Sequence, residues 1–412
     1  MKVFNLPGEF GLKALELFAG AGGLALGTAK AGFHHAGVVE WNQDACDTIR
    51  ENQSRGIKPV IHWPLFQADI RKFDFKSVGK IDLLAGGPPC QPFSLGGKHK
   101  GHNDERNMFP EAVRGVRELA PRAIILENVK GLTRQSFARY FEYIRLQNCY
   151  PELTRKGNDE WIDHLSRLER YHTKGKPTGL FYRVVARLLN AADYGVPQRR
   201  ERVFFVGFRS DLGLEWSLPK PTHSQDALLW DQWISGDYWK RHNVIRRKRP
   251  EPSNRFKARV VHLRAKGEKP IEKPWRTVRD ALLGLPHPTS VCAREIPNHR
   301  LNLGAKAYPG HTGSPLDEPA KTLKAGDHGV PGGENMLAHP NGSVRYFTVR
   351  ESARLQAFQD NYVFPGSWTE AMRQLGNAVP VALGEVVAKS VANCLGHKMI
   401  KARKLIEEQG DE

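Results

Sequence analysis

Residues 86–94 read Gly-Gly-Pro-Pro-Cys-Gln-Pro-Phe-Ser, and no other segment of the chain limits its fold so strongly. Glycines followed by prolines continue neither a helix nor a central strand, because proline locks φ and withholds its N–H. The run in front, Lys80-Ile81-Asp82-Leu83-Leu84-Ala85, has the length and apolar content of a short buried strand. Cys90 is therefore expected on a loop at the carboxyl end of a strand, where open α/β sheets place their chemistry. A lone loop cysteine is ordinarily unreactive; here the surrounding sequence argues otherwise.

Similar punctuation recurs along the first half of the chain. Ala14–Phe18 reads as a strand, followed by the glycine-rich turn Ala19–Gly23 and a helix over Leu24–Ala31 that stops at Gly32. His35–Glu40 reads as a second strand and Ala45–Asn52 as a second helix. Further strands are expected over Phe66–Ile70, Ile81–Ala85 and Arg122–Leu126, with helices between them. This alternation predicts a parallel, doubly wound sheet. Residues 134–180 read as helices with a charged interruption over Arg155–Glu160, Tyr182–Asn190 as an amphipathic helix and Arg202–Gly207 as a strand.

From about Phe208 prolines become frequent and periodicity weakens until about Gly342, before helical patterns return over 345–400. The organisation expected is a first part of one domain over 1–208, a smaller irregular domain over 209–343, and a return to the first domain over 344–412. The last dozen residues are charged and are expected to fray.

The net charge of +18 is unevenly spread. Residues 230–310 hold 18 Lys/Arg and 7 Asp/Glu, so 18 − 7 = +11 of the excess falls in about a fifth of the chain. Arg246-Arg247-Lys248-Arg249 lies there, with Trp230, Trp233, Trp239 and Trp275 nearby. Basic residues interleaved with aromatics suggest a polyanion surface. The five cysteines are odd in number and lack a Cys-x-x-Cys pair, against a disulfide framework or zinc site. Cys46, Cys149, Cys292 and Cys394 read as small buried hydrophobes, and no metal site is expected. No apolar signal core opens the chain, and no run approaching the ~18 residues of a membrane span is evident. A cytoplasmic protein is expected.

Several positions carry chemistry. Gly20-Ala21-Gly22-Gly23-Leu24-Ala25 fits G-x-G-x-x-[G/A] between a strand and a helix, and Glu40 ends the next strand 20 residues beyond the first glycine. That spacing suits a nucleoside cofactor, with the carboxylate on ribose hydroxyls and backbone N–H groups facing the ligand. Trp41 could stack on an adenine ring, or be an ordinary core tryptophan. Asp69, expected at the third strand's end, could accept from an adenine amino group or simply cap the strand. Glu127, past the apolar run Ala123–Leu126, is a candidate acid whose pKa burial would raise. In Gln198-Arg199-Arg200-Glu201-Arg202, strand alternation sends Arg200 and Arg202 to one side, where two guanidiniums could bind an anion or a base carbonyl.

In this order the pieces resemble the DNA (cytosine-5) methyltransferase family, of the bacterial restriction-modification type. Phe18-Ala19-Gly20-Ala21-Gly22-Gly23 is similar to its cofactor loop, Gly87-Pro88-Pro89-Cys90-Gln91 to its nucleophile loop and Glu127-Asn128-Val129 to its acid motif. Gln198-x-Arg200-x-Arg202 is similar to its paired arginines, and Thr348–Gln356 and Gln374–Pro380 to its closing motifs. The resemblance implies an α/β fold: a Rossmann-like, doubly wound S-adenosylmethionine-dependent methyltransferase domain with a smaller, irregular target-recognition domain.

It implies a methyl group passing from S-adenosylmethionine to cytosine C5 in a short duplex DNA sequence, the base being flipped out. Cys90 would add to C6, Glu127 would serve N3, Arg202 the base O2, and Arg200 would support the site. Phe18, Gly20, Gly22, Gly23, Glu40, Trp41, Asp69, Ile70, Pro88, Phe109 and Asn377 would line the cofactor. Gln91–Arg106 resembles the family's mobile loop over DNA, with Gly96 and Gly97 as hinges. Gln91, Ser94, Gly96 and Arg106 would meet DNA there. Pro319–Leu323 resembles the recognition-domain core, placing Thr322 and Lys324 beside the DNA.

A cognate restriction endonuclease is the implied functional partner, and the enzyme would act as a monomer. Three other readings compete. An RNA cytosine-5 methyltransferase on this scaffold would carry a late Cys-Phe-Thr signature, which the chain lacks. An inactive paralogue would have lost the nucleophile, the acid or the glycines. A dehydrogenase leaves Pro-Cys-Gln and the arginine pair without a purpose.

Overall fold

The computed structural model describes residues 11–89, 107–309, 311–325 and 333–409, with side chains described to residue 396. Cys90, Gln91, Ser94, Gly96 and Arg106 lie outside the described residues, as do the hinge glycine Gly97 and residues 326–332. By Cα packing the chain forms two compact units. One comprises 1–189, 201–219 and 384–412; the other comprises 190–200 and 220–383. The segment 344–383, expected with the first domain, thus packs within the second unit.

The first unit is built on β1 (Lys13–Leu17), α1 (Gly23–Lys30), β2 (His34–Glu40), α2 (Gln43–Ser54), β3 (Leu65–Gln67), β4 (Leu83–Gly86), α3 (Phe109–Leu119), β5 (Ala123–Val129), α4 (Ala138–Cys149), α5 (Trp161–Thr173), β6 (Tyr182–Asn190) and β7 (Glu201–Arg209). These strands form one seven-stranded sheet in the order β3-β2-β1-β4-β5-β7-β6. Strands β1 to β5 pair in parallel, and β7 runs antiparallel to β5. Sheet order reverses direction between β1 and β4, so their carboxyl ends form the switch point where α/β sheets bind ligands. In register, Leu17 stands opposite Gly86 and Gly86 opposite Leu126. A side chain on Gly86 would strike the Leu17 carbonyl at 2.6 Å, which is why glycine ends this strand.

The doubly wound expectation is met, with one correction. Tyr182–Asn190 is a strand, not a helix. Its apolar residues suit either period, but Val184 and Val185 are stiff at χ1 and favour strands. Ladder bonds to β7 decide the outcome, leaving β6 at the sheet edge. The stretch 134–180 does fold as helices. Tyr140, Tyr143, Ile144, Leu165 and Leu168 of α4 and α5 join the core shared with Leu126, Val203 and Phe205.

The second unit contains β8 (His223–Ser224), α6 (Gln225–Trp233), α7 (Asp237–Arg241), α8 (Asn254–Lys266), β9 (Lys273–Pro274), α9 (Val278–Leu282), β10 (Ser314–Pro315), β11 (Met336–Ala338), β12 (Val344–Tyr346), α10 (Val349–Leu355) and α11 (Trp368–Asn377). A last helix, α12 (Val381–Gln409), begins here and continues into the first unit. The tryptophans expected on a polyanion surface are used otherwise. Trp239 is buried with Leu228 and Tyr238, and Trp233 and Trp275 pack against them. Trp230 packs on Leu229, Val260 and Leu263. The aromatics build the core, leaving the basic side chains outside.

Cys292 also departs from expectation. It is exposed, whereas Cys46 and Cys149 are buried, and Cys394 is half-buried. Burial pushes the thiols of Cys46 and Cys149 up to about 11, so both stay protonated at neutral pH. One further expectation is corrected: Trp368–Gly396 is long and apolar enough to cross a membrane. More than half of it is buried inside the protein, and helical structure breaks between α11 and α12 at Ala378–Pro380.

Candidate active site

Four functional segments of the first unit meet the carboxyl edge of the sheet. Leaving β1, Phe18 takes φ 56° and Gly20 and Gly22 take φ 54° and 82°. This tight left-handed turn is the conformation glycine adopts at least cost. It delivers the chain to α1, whose N-cap Gly22 provides no side-chain cap. The first-turn N–H groups therefore have no side chain of the N-cap residue as a partner. A Cβ on Gly20 would meet nothing within 4 Å, so the loop faces open space.

Glu40, at the end of β2, holds this turn from beneath. Its Oε2 accepts from Gly20 N at 2.7 Å, while Oε1 accepts from Trp41 N at 3.0 Å and Asn42 N at 2.8 Å. Each carboxylate oxygen has roughly two acceptor sites. Oε1 is thus filled and Oε2 keeps one site for a hydroxyl. Trp41 is 69% exposed, which rules out the core-tryptophan alternative.

Asp69 lies beyond β3, which ends at Gln67 rather than the expected Ile70. It caps a short turn, accepting from Arg71 N at 3.0 Å, and its carboxylate takes the Arg71 guanidinium at 2.7 Å. Those hydrogen bonds hold its carboxyl below the ordinary range. Ile70 is buried. Phe109 requires correction: it is wholly buried, its ring edge-on to Phe205 at 6.3 Å. The first turn of α3 aims it into the core, so it offers no surface to a ligand.

The acid site lies where β5 ends. Glu127 and Arg202 are diagonal neighbours on the antiparallel β5–β7 pair, since Glu127 stands opposite Phe204 and Val129 opposite Arg202. Their side chains form an ion pair, Arg202 Nε to Glu127 Oε1 at 2.8 Å, with side chains only 10% and 9% exposed. Glu127 is thus partnered by a guanidinium within a buried site rather than surrounded by apolar side chains alone. Burial lowers the pKa of Arg202, while the charge and hydrogen bond of Glu127 oppose that shift.

The stretch leading to Cys90 is held against this pair. A Cβ on Gly87 would lie 3.2 Å from Glu127 Oε2, and Asn128 Nδ2 donates to the buried Pro88 carbonyl at 3.0 Å. Asn128 stands within the acid motif Glu127-Asn128-Val129, which gave it no role of its own. Its signal was the Glu-Asn pair at the end of an apolar run.

Arg200 has a different fate from Arg202, against the expectation that both point to one side. In the second unit its fully buried guanidinium donates to Leu323 O at 2.9 Å and Gly376 O at 2.5 Å. Gln198 is buried beside the same segment, accepting from Leu323 N at 3.0 Å and donating to Leu355 O at 3.2 Å. Thr322 donates its hydroxyl to Arg199 O at 2.7 Å. Lys324 forms an ion pair with Glu334 at 2.7 Å. Its backbone N–H and C=O are both matched by the Asn335 side chain at 2.9 Å. Asn335, wholly buried, had no sequence signal. Asn377 ends α11 and is exposed.

Known proteins resemble this chain over most of its length. The family described as C-5 cytosine-specific DNA methylase matches residues 12–147 and 163–393. The chain is 31% identical to the Type II methyltransferase M.NgoMIV of Neisseria gonorrhoeae over 93% of its length and 97% of that protein's. It is 31% identical to M.Eco47II of Escherichia coli over 92% of its length and 79% of that protein's. A DNA modification methyltransferase encoded within an Escherichia coli prophage superposes with TM-score 0.56 at 22% identity, covering 93% of this chain and 99% of that one. At that identity the likeness concerns the fold. With the family's profile spanning most of its length, the chain belongs to the C-5 cytosine-specific DNA methylase family.

Proposed function

We propose that this chain, acting as a cytoplasmic monomer, methylates C5 of a cytosine within a short duplex DNA sequence. The observation that carries the reading is the buried Glu127–Arg202 pair set against Gly87, three residues before Cys90. With a flipped cytosine in place, Arg202 exchanges the carboxylate for the base O2, and Glu127, taking up a proton from solvent as it loses the guanidinium, carries that proton to N3. Cys90 thiolate forms a bond to C6, and the C5–C6 π electrons move to C5. Loss of the C5 proton to water restores the double bond, the C6–S bond breaks, Cys90 leaves as thiolate, and N3 returns its proton to Glu127.

The open glycine turn, the vacant acceptor site on Glu40 and the exposed Trp41 fit S-adenosylmethionine. Gly20, Gly22 and Gly23 would receive its charged tail, Glu40 its ribose and Trp41 its adenine, beside Phe18, Asp69, Ile70 and Pro88. When bound, it supplies an electrophilic methyl group to C5.

Target recognition is assigned to residues 209–343, with Thr322 and Lys324 leading the chain toward the DNA. The Type II relatives favour protection of host DNA from a partner nuclease as the biological role.

The test is bisulfite sequencing of DNA from cells expressing the chain, beside Cys90→Ser. Protected cytosines in one short motif, absent from the control, are expected. Uniform conversion in both, from folded protein that binds S-adenosylmethionine, would overturn the reading.

A further inference from the structure

The second unit carries an open cleft of about 550 Å³ lined by Arg199, Ser253, Arg255, Thr312, Glu318 and Lys321 among others. Its charges do not balance internally. One carboxylate, Glu318, serves both Arg199 at 3.5 Å and Arg255. Lys321 Nζ holds the Thr312 hydroxyl at 3.1 Å, and no ion pair engages it among the described residues. Burial lowers the pKa of Arg199, and the neighbouring charge of Arg255 adds to the shift against Glu318. Three cations and one anion therefore share a single cleft, an arrangement that an oxyanion would relieve.

Two features give that oxyanion a seat. Ser253 is the N-cap of the 13-residue α8 and makes no side-chain cap bond, so the positive helix end opens on the cleft. Arg199 also anchors the segment leading toward residue 326. Its N–H donates to Ala320 O at 2.8 Å, and Thr322 bonds its carbonyl at 2.7 Å. An anion bound here would fix the placement of that segment.

We propose that this cleft binds one backbone phosphate of the DNA substrate, with Lys321 as its principal ligand and Arg199 and Arg255 beside it. Such a contact positions the duplex and carries no sequence information. The assignment rests on the DNA-substrate reading above.

The experiment compares the salt dependence of binding to a mixed-sequence duplex for the unmodified chain, Lys321→Gln and Lys321→Arg. Losing one phosphate contact lowers the log–log salt slope by about 0.9. Lys321→Gln should show that drop and weaken all duplexes alike, with S-adenosylmethionine affinity and melting temperature unchanged. Lys321→Arg should restore the slope. An unchanged slope for Lys321→Gln, with the unmodified protein binding DNA, overturns the proposal and leaves the DNA reading intact. Failure of the unmodified protein to bind any duplex overturns both. Calorimetry with inorganic phosphate at fixed ionic strength separates the sources. Heat lost in Lys321→Gln without a change in DNA slope would make this a free-phosphate site and overturn the backbone assignment.

Discussion

The guanidinium of Arg202 lies 2.8 Å from the carboxylate of Glu127, and neither side chain is more than 10% exposed. The two groups depend on each other, since removing one leaves an unmatched charge in a dry site. Arg202→Ala should therefore destabilise the protein by about 3–5 kcal/mol. The double variant Glu127→Gln, Arg202→Met should recover much of that loss. Urea unfolding of the two variants measures the difference.

Glu127→Gln alone preserves shape and removes the transferable proton. Methyl transfer should fall by about 10²–10⁴-fold, the span general acid catalysis contributes. S-adenosylmethionine affinity should be unaffected. Tritiated-methyl incorporation and calorimetry report the two quantities separately.

Glu40 accepts three backbone hydrogen bonds through two oxygens. Glutamine offers a single acceptor oxygen, so Glu40→Gln must desert either Gly20 or the Trp41–Asn42 pair. Bonds to charged groups contribute about 1.5–3 kcal/mol each. A loss of roughly tenfold or more in S-adenosylmethionine affinity is expected by calorimetry, together with a lower melting temperature.

Gly376 has no room for a side chain. A Cβ there would lie 2.3 Å from Ala325 N and 2.4 Å from the Lys324 carbonyl carbon. Because backbone cannot swing aside, Gly376→Ala should cost about 1–3 kcal/mol. It should also displace residues 324–325 and weaken DNA binding more than cofactor binding. Thermal melting and a duplex-binding titration distinguish these effects.

His164 is buried between α4 and α5, with Tyr143 Oη 2.9 Å from Nδ1 and Leu153 O 2.6 Å from Nε2. Neutral imidazole satisfies both by donating from Nε2 and accepting at Nδ1. Burial lowers its pKa from 6.5. The unfolded chain thus takes up a proton at a pH where the native state does not. The contribution is present in full above the unfolded value and is lost as pH falls through the lowered folded value. Stability should therefore decline on acidification below 6.5. His164→Gln should flatten that part of a stability–pH curve.

Short-range order carried much of this fold in the sequence itself. The glycine turn after β1, the proline stop after β4 and the acids at the ends of β2 and β5 are local patterns, and their elements appear within a few residues of expectation. The candidate acid and its arginine were legible for the same reason, each flanking an apolar run.

Partnership at long range was not legible. Tyr182–Asn190 suits a helix by period and becomes a strand because β7 supplies its ladder. The tryptophans near the basic run resemble a stacking surface until the other half of their core is present. Arg200 and Arg202 look equivalent in sequence. Yet the first holds carbonyls 123 and 176 residues away, while the second holds Glu127. The chain's periodicity and turn chemistry determined where strands end and which residues stand at the sheet edge. Only the tertiary structure decided which charge each guanidinium meets, because burial and hydrogen-bond partners arise from segments that sequence spacing does not join.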